Sequence, residues 1–232
     1  MDGILGQNRR MTKNDSLSAS TQGTAPDLLE VEFHLKDLDF SLVSEWDSAF
    51  ADCAAVKASQ GSILNEEADA IVSPANSFGY MDGGLDLVYS RHFGWEIERK
   101  VRDVILADYD GELPIGQAIV CSMDRETAPF FMISAPTMRV PMRVDETVNA
   151  FLAFRGVLRA VRRHHRDFPD APIRSVLCPG LGTGEGRMAP DRCALQMRQA
   201  YEVVALRNPV RLGGLGGAAR HHMMLLQQDF ES

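Results

Sequence analysis

The chain has 232 residues, 45% of them hydrophobic, and a formal net charge of −8. That length and apolar content suit one domain with tails and supply a sizeable core. The acidic balance argues against a general nucleic-acid binder, which needs a basic face to displace counterions. No apolar run approaches the roughly 18 residues that cross a bilayer, and the N-terminus lacks the apolar stretch of a secretory signal.

Residues 1–27 are polar and rich in Ser, Thr, Asn and Gly, the composition of a disordered tail. VEFHL (31–35) alternates as a strand does, and LVSEWDSAF, up to residue 50, places Leu42, Val43, Trp46 and Phe50 at helical spacing. CAAVKAS (53–59) and DAIVS (69–73) read as strands. Helical signal runs from Asp86 to about Ala107, broken in two at Gly94, because glycine weakens a helix interior. GQAIVCSM (116–123) and FFMISAP (130–136) are strands again. The clearest helix spans Asp145 to about Arg166, with Asp145 as N-cap and Val148, Phe151, Leu152, Val157, Leu158 and Val161 as its apolar stripe. IRSVLCP (173–179) is a buried strand, and a last helix follows from Met188 to about Arg207. Residues 209–232 lose periodicity and read as a flexible tail. Strands and helices interleave, which predicts an α/β domain over 28–208 with a sheet covered on both faces. Cys53, Cys121, Cys178 and Cys193 lie far apart and form no C-x-x-C pair, so reduced thiols in a cytoplasmic protein are expected.

Two loops carry the chemistry. In DAIVSPANSFGYMDGGLD (69–86) an apolar strand ends in a turn, then come Asn76, the pair Gly83 and Gly84, and Asp86 at a helix start. Glycines let a ligand approach the backbone, and a helix N-terminus turns free N–H groups and positive dipole toward it. Asp86 there is expected to stay ionised and to accept from a ribose hydroxyl or orient a water. Asn76 offers a donor and an acceptor to a hydroxyl pair. The plain alternative is that Asn76 caps its turn and Asp86 its helix. The second loop, PGLGTGEG (179–186), follows a buried strand. Its alternate glycines can aim successive N–H groups at phosphate oxygens. No Gly-Lys-Ser/Thr follows, so it is not a Walker loop. A dinucleotide fingerprint needs a second strand and an acid about 20 residues on, and no convincing strand follows. A plain glycine-rich turn is the remaining alternative.

Together these loops resemble those of the macro domain, the ADP-ribose-binding fold. That family carries an apolar strand, N-A-A-N, a glycine run, an apolar residue and Asp. Here Asn76, Gly83, Gly84 and Asp86 match, while Ser73 and Pro74 replace the first Asn and Ala. The second loop resembles the family's Gly-x-Gly, which wraps the pyrophosphate and distal ribose, and brings Gly180, Gly182, Thr183 and Gly184 to the ligand. A family Gly-Asp-Ile-Thr element, whose Asp binds the adenine amine, matches Gly61-Ser62-Ile63-Leu64, with Ser62 where the acid would stand. Ser62 and Ile63 are therefore ligand-binding candidates without the acid's charge.

The resemblance covers roughly residues 50–207. It implies a three-layer α/β/α sandwich with a mixed central sheet and ADP-ribose, free or on a macromolecule, at the C-terminal strand ends. It further implies hydrolysis of an ADP-ribosyl linkage with Asp86 and Asn76 as catalytic residues, or, alternatively, a non-catalytic reader of ADP-ribosylated macromolecules. Neither cofactor nor metal is expected, and neither membrane nor general nucleic acid as partner. Other candidates take bland readings. RRHHR (162–166) reads as a solvated helix end, His221 and His222 have no zinc-site spacing, and His92 reads as a surface residue. Asp69 reads as structural, Phe78 and Tyr80 as walls of the distal ribose or core, and Asp82 as a second carboxylate near the water.

Overall fold

The computed structural model describes residues 26–228. In chain order it contains β1 (Glu32–Asp37), α1 (Phe40–Ala49), β2 (Val56–Gln60), β3 (Ala70–Ser73), α2 (Gly84–Phe93) and α3 (Glu96–Asp108). There follow β4 (Ile119–Ser122), β5 (Phe131–Ser134), α4 (Asn149–Asp167), β6 (Ser175–Cys178), α5 (Pro190–Val204) and α6 (Leu215–Leu225). The strands form one six-stranded sheet in the order β2-β1-β6-β3-β5-β4. Every neighbouring pair is parallel except β4 with β5.

The strands are short and apolar because a sheet covered on both faces needs no alternation. Ala70 and Val72 of β3, Val176 and Cys178 of β6, and Ile133 of β5 enter one core with residues of α1, α4 and α5. Ile71, Leu177 and Met132, the residues between, enter a second core with residues of α2 and α3. This is the expected three-layer sandwich with a mixed sheet. One half departs from the apolar rule. On β1, Phe33 and Leu35 join the first core, while His34 and Lys36 take the other face. Lys36 is buried, donates to Ser59 Oγ at 3.1 Å and pairs with Glu66. The alternation of VEFHL thus records a sheet half whose second face is polar.

Gly94 separates α2 from α3. Its φ of +95° is a left-handed conformation that other residues avoid, and it stops the first helix. Ile97, Val101 and Ile105 then bury one stripe of α3. α4 begins at Asn149 rather than Asp145. The Asp145 carboxylate pairs with Arg143, and Thr147 Oγ1 accepts from the Asn149 N–H at 3.2 Å. The end of α4 is solvated at Arg162, Arg163 and Arg166, as RRHHR suggested, but not at its two histidines. His164 and His165 are buried, with His164 Nε2 2.9 Å from the Ala171 carbonyl and His165 Nε2 2.7 Å from that of Ile173.

Of the expected N-terminal tail, residues 1–25 lie outside the described residues. Pro26 is buried with its carbonyl 2.9 Å from His165 Nδ1, and Asp27 caps a single 3-10 turn at Leu28–Glu30. The C-terminal reading is corrected more fully. Within 209–232 the chain forms α6, whose Leu225 is buried, as is Leu226 after it. The fully buried Gln196 of α5 fixes that end by donating from Nε2 to the Leu225 carbonyl at 3.0 Å. The sequence LGGAARHHMML hid the helix because glycine and histidine blur a short apolar stripe. All four cysteines are buried and free. No helix among the described residues is long and apolar enough to cross a membrane.

Candidate functional site

Five strands run parallel, so their C-terminal ends open on one edge of the sheet. Loops follow there in spatial order: Gly61–Ile63 after β2, Asp37–Asp39 after β1, Pro179–Gly186 after β6, Pro74–Gly83 after β3. From the first to the last is three strand spacings, about 14 Å at about 4.8 Å each, a span suited to an elongated ligand. Ligands of open α/β sheets lie at this edge.

Asp86 sits in the first turn of α2, at its third residue, and is only 6% exposed. It does not cap the helix, whose N-cap position is Gly83 with no side-chain bond. The carboxylate instead faces the end of β3, where Ser73 Oγ donates to Oδ1 at 2.6 Å. Burial pushes its pKa up to about 7, against the opposing bond from Ser73, and the Glu98 carboxylate on α3 pushes the same way. The expectation of an ordinary ionised acid is therefore corrected, because desolvation outweighs the single hydroxyl donor. Ser73 is the functional neighbour that sequence reasoning missed. It stood out only as a departure from N-A-A-N, and nothing local tied it to an acid thirteen positions on.

Asn76 follows the plain alternative. Its Oδ1 accepts from the N–H groups of Phe78 at 3.1 Å and Tyr80 at 3.3 Å, and its Nδ2 donates to the Tyr80 carbonyl at 2.7 Å. Both ends of the amide close the residue's own turn, the habit of Asn in tight loops. Gly83 and Gly84 are exposed, and a Cβ on either meets nothing within 4 Å, so the helix start is open to a ligand. Asp82 beside them is exposed.

The β6 loop is held from below. Asp37, at the end of β1, accepts the Gly180 N–H at 3.2 Å, and a Cβ on Gly180 would lie 2.3 Å from Thr183 Oγ1. Gly182 has a φ of +78°, and its carbonyl accepts from the Met188 N–H at 2.9 Å. The N–H groups of Gly182, Thr183 and Gly184 have no acceptor among the described residues. Gly184 is exposed and Thr183 half-buried. Such a run of free donors is what an anion nest requires. Asp37 had no sequence mark beyond closing a strand.

Ser62 caps a short 3-10 turn, its hydroxyl accepting from the Leu64 N–H at 3.3 Å, and the Ile63 side chain is buried in the second core. Asp69 lies at the opposite edge of the sheet. Its Oδ2 accepts from the N–H groups of Arg174 at 2.6 Å and Ser175 at 3.1 Å, which makes it a brace between β3 and β6. Phe78 and Tyr80 face outward under Arg139 and Arg102, whose guanidinium carbons lie 5.1 and 4.2 Å from the ring centroids. They line a cleft of about 340 Å³ with Trp95, Arg99 and Leu106 along α3, which none of the other candidate residues lines. No group of three metal-ligating side chains occurs among the described residues.

Comparison with known proteins agrees with this layout. The solved macrodomain of Mycobacterium tuberculosis DarG is 21% identical, covers 63% of this chain and 90% of its own, and superposes with a TM-score of 0.53. The Oceanobacillus iheyensis macrodomain solved with ADP is 20% identical, covers 65% of this chain and 76% of its own, and has a TM-score of 0.50. An uncharacterized protein of Aquifex aeolicus is 31% identical over 142 residues, which are 61% of this chain and 78% of the relative. The family model for the Macro domain matches residues 72–197, more than half of the chain and the whole stretch from the end of β3 into α5. With both loops inside that match and the three layers in place, the chain belongs to the macro domain family.

Proposed function

We propose that the chain binds ADP-ribose across the strand-end loops and hydrolyses an ADP-ribosyl linkage. One observation carries the reading: a buried carboxylate, Asp86, held by Ser73 at 2.6 Å beside an open helix start. The free N–H groups of Gly182, Thr183 and Gly184 suit the pyrophosphate. The Oceanobacillus iheyensis macrodomain was solved with ADP, which supports a nucleotide as the class of ligand. In the reaction, the oxygen of a water bonds to the anomeric carbon of the distal ribose. The bond from that carbon to the attached group breaks, and its electron pair leaves with the group, which takes a proton from solvent. One proton of the water passes to Asp86, whose raised pKa fits a base working near neutral pH.

One observation favours the reader instead. The Asn76 amide is engaged in its own turn, which removes one side chain from the distal ribose. Calorimetry with ADP-ribose, followed by release assays on several ADP-ribosylated substrates, separates the two. The hydrolase should bind, release ADP-ribose, and lose about 10²-fold or more in turnover on Asp86→Ala, while affinity falls far less. A reader binds and releases nothing. Absence of binding at millimolar ADP-ribose would overturn both.

A further inference from the structure

We infer that Ser134 is a positioning residue for Asp86, acting with Ser73 through one water enclosed between the ends of β3 and β5. The inference rests on the hydrolase reading for its consequence in catalysis, and on geometry alone for the contact.

Ser134 is the last residue of β5 and is fully buried. Its hydroxyl has no partner among the described residues. In the parallel pair of β3 with β5, Ser73 stands opposite Ser134, just as Ile71 stands opposite Met132. Paired residues of neighbouring strands leave the same face about 4.8 Å apart. Ile71 and Met132 both enter the second core, so the two serines project toward α2, where Ser73 already donates to Asp86. A buried hydroxyl without a partner is strongly disfavoured. An unpartnered buried hydroxyl beside a buried carboxylate is a setting in which proteins enclose a water.

The other groups facing this point do not compete for it. On α2, the Tyr89 hydroxyl donates to the Val72 carbonyl at 3.2 Å. On α3, Glu98 accepts from the Met81 N–H at 2.8 Å and adds only like charge. Cys178 on β6 and Asp37 on β1 lie near Tyr89, and Asp37 is engaged with Gly180. The two serines are thus the neutral side-chain donors at hand for the ionised acid. Donors to the charged form favour it, so Ser134 helps to keep Asp86 ready to take a proton.

The test follows the Asp86 carboxyl by carbon NMR as pH is varied, in wild type, Ser73→Ala and Ser134→Ala. Both variants should raise the midpoint, Ser73→Ala by more and Ser134→Ala by about half a unit or more. In wild type, water–protein cross-relaxation should show one long-lived water at Ser134, a readout that needs no variant. A midpoint unmoved in Ser134→Ala, or no such water, would overturn the inference. If the midpoint moves and the protein releases no ADP-ribose, the contact stands and the hydrolase reading fails. If it releases ADP-ribose, the rise of rate with pH should shift in Ser134→Ala by the same amount as the midpoint.

Discussion

The hydroxyl of Ser73 and the carboxylate of Asp86 lie 2.6 Å apart, joining the last residue of β3 to the first turn of α2. The bond satisfies one carboxylate oxygen and leaves most of the desolvation penalty standing.

That penalty has a sign. In the unfolded chain Asp86 titrates near 3.8, in the folded one at about 7, so between those values the folded state holds the extra proton. Its contribution to stability is full below the lower value and is lost as pH rises through the upper one. Asp86→Asn keeps an acceptor for Ser73 and never ionises. It should stabilise the fold at about pH 8 by an amount on the order of 2–4 kcal/mol and change little at about pH 4. Urea melts at the two pH values check this, and equal effects at both would contradict the buried acid.

Gly182 and Gly184 answer the same substitution differently. A Cβ on Gly184 meets nothing within 4 Å, so Gly184→Val should fold as wild type and lose at least about 10-fold in ADP-ribose affinity by crowding the nest. Gly182 has a left-handed φ, and its Cβ would stand 3.0 Å from Val144 Cγ2. Gly182→Val should therefore cost about 1–3 kcal/mol of stability as well. Calorimetry beside thermal melts separates the effects.

Asp69→Ala removes the acceptor of two backbone N–H groups that start β6. The loss should be about 1–3 kcal/mol in a denaturant melt. ADP-ribose affinity should be unchanged, because Asp69 stands at the far edge of the sheet from the strand-end loops. A large loss of affinity would place the ligand elsewhere.

Truncation after Gly213 deletes α6. The buried Leu225 and Leu226 are removed from the core, and Gln196 loses its acceptor at the Leu225 carbonyl. The shortened chain should be less stable by about 2 kcal/mol or more in urea. Melting at wild-type values would show that α6 contributes nothing to the core.

Elements with strong local patterns were legible in the sequence. Apolar runs marked β3, β5 and β6, Gly94 marked the break between α2 and α3, and the stripe of Val157, Leu158 and Val161 marked α4. Boundaries were not, where a side chain found a closer partner than the one its position offered, as Asp145 found Arg143. At the candidate site, sequence located Asp86 but not its surroundings. Ser73, Ser134 and Asp37 reach it or its neighbouring loop only through strand order. A buried acid and an exposed helix-start acid read alike along a chain.

β6 lies between β1 and β3 in the sheet but is made after both. A chain synthesised only through α4 holds two pieces of sheet, β2-β1 and β3-β5-β4, and lacks the strand that joins them. The pairings of β6 are distant in sequence, and such contacts slow folding because long loops must close first. The edges of β1 and β3 that await it are open to other chains in the interval. The loop with the free N–H groups directly follows β6. Joining the sheet and completing the candidate ligand edge are thus one event, and no nascent chain that stops before β6 carries the candidate site.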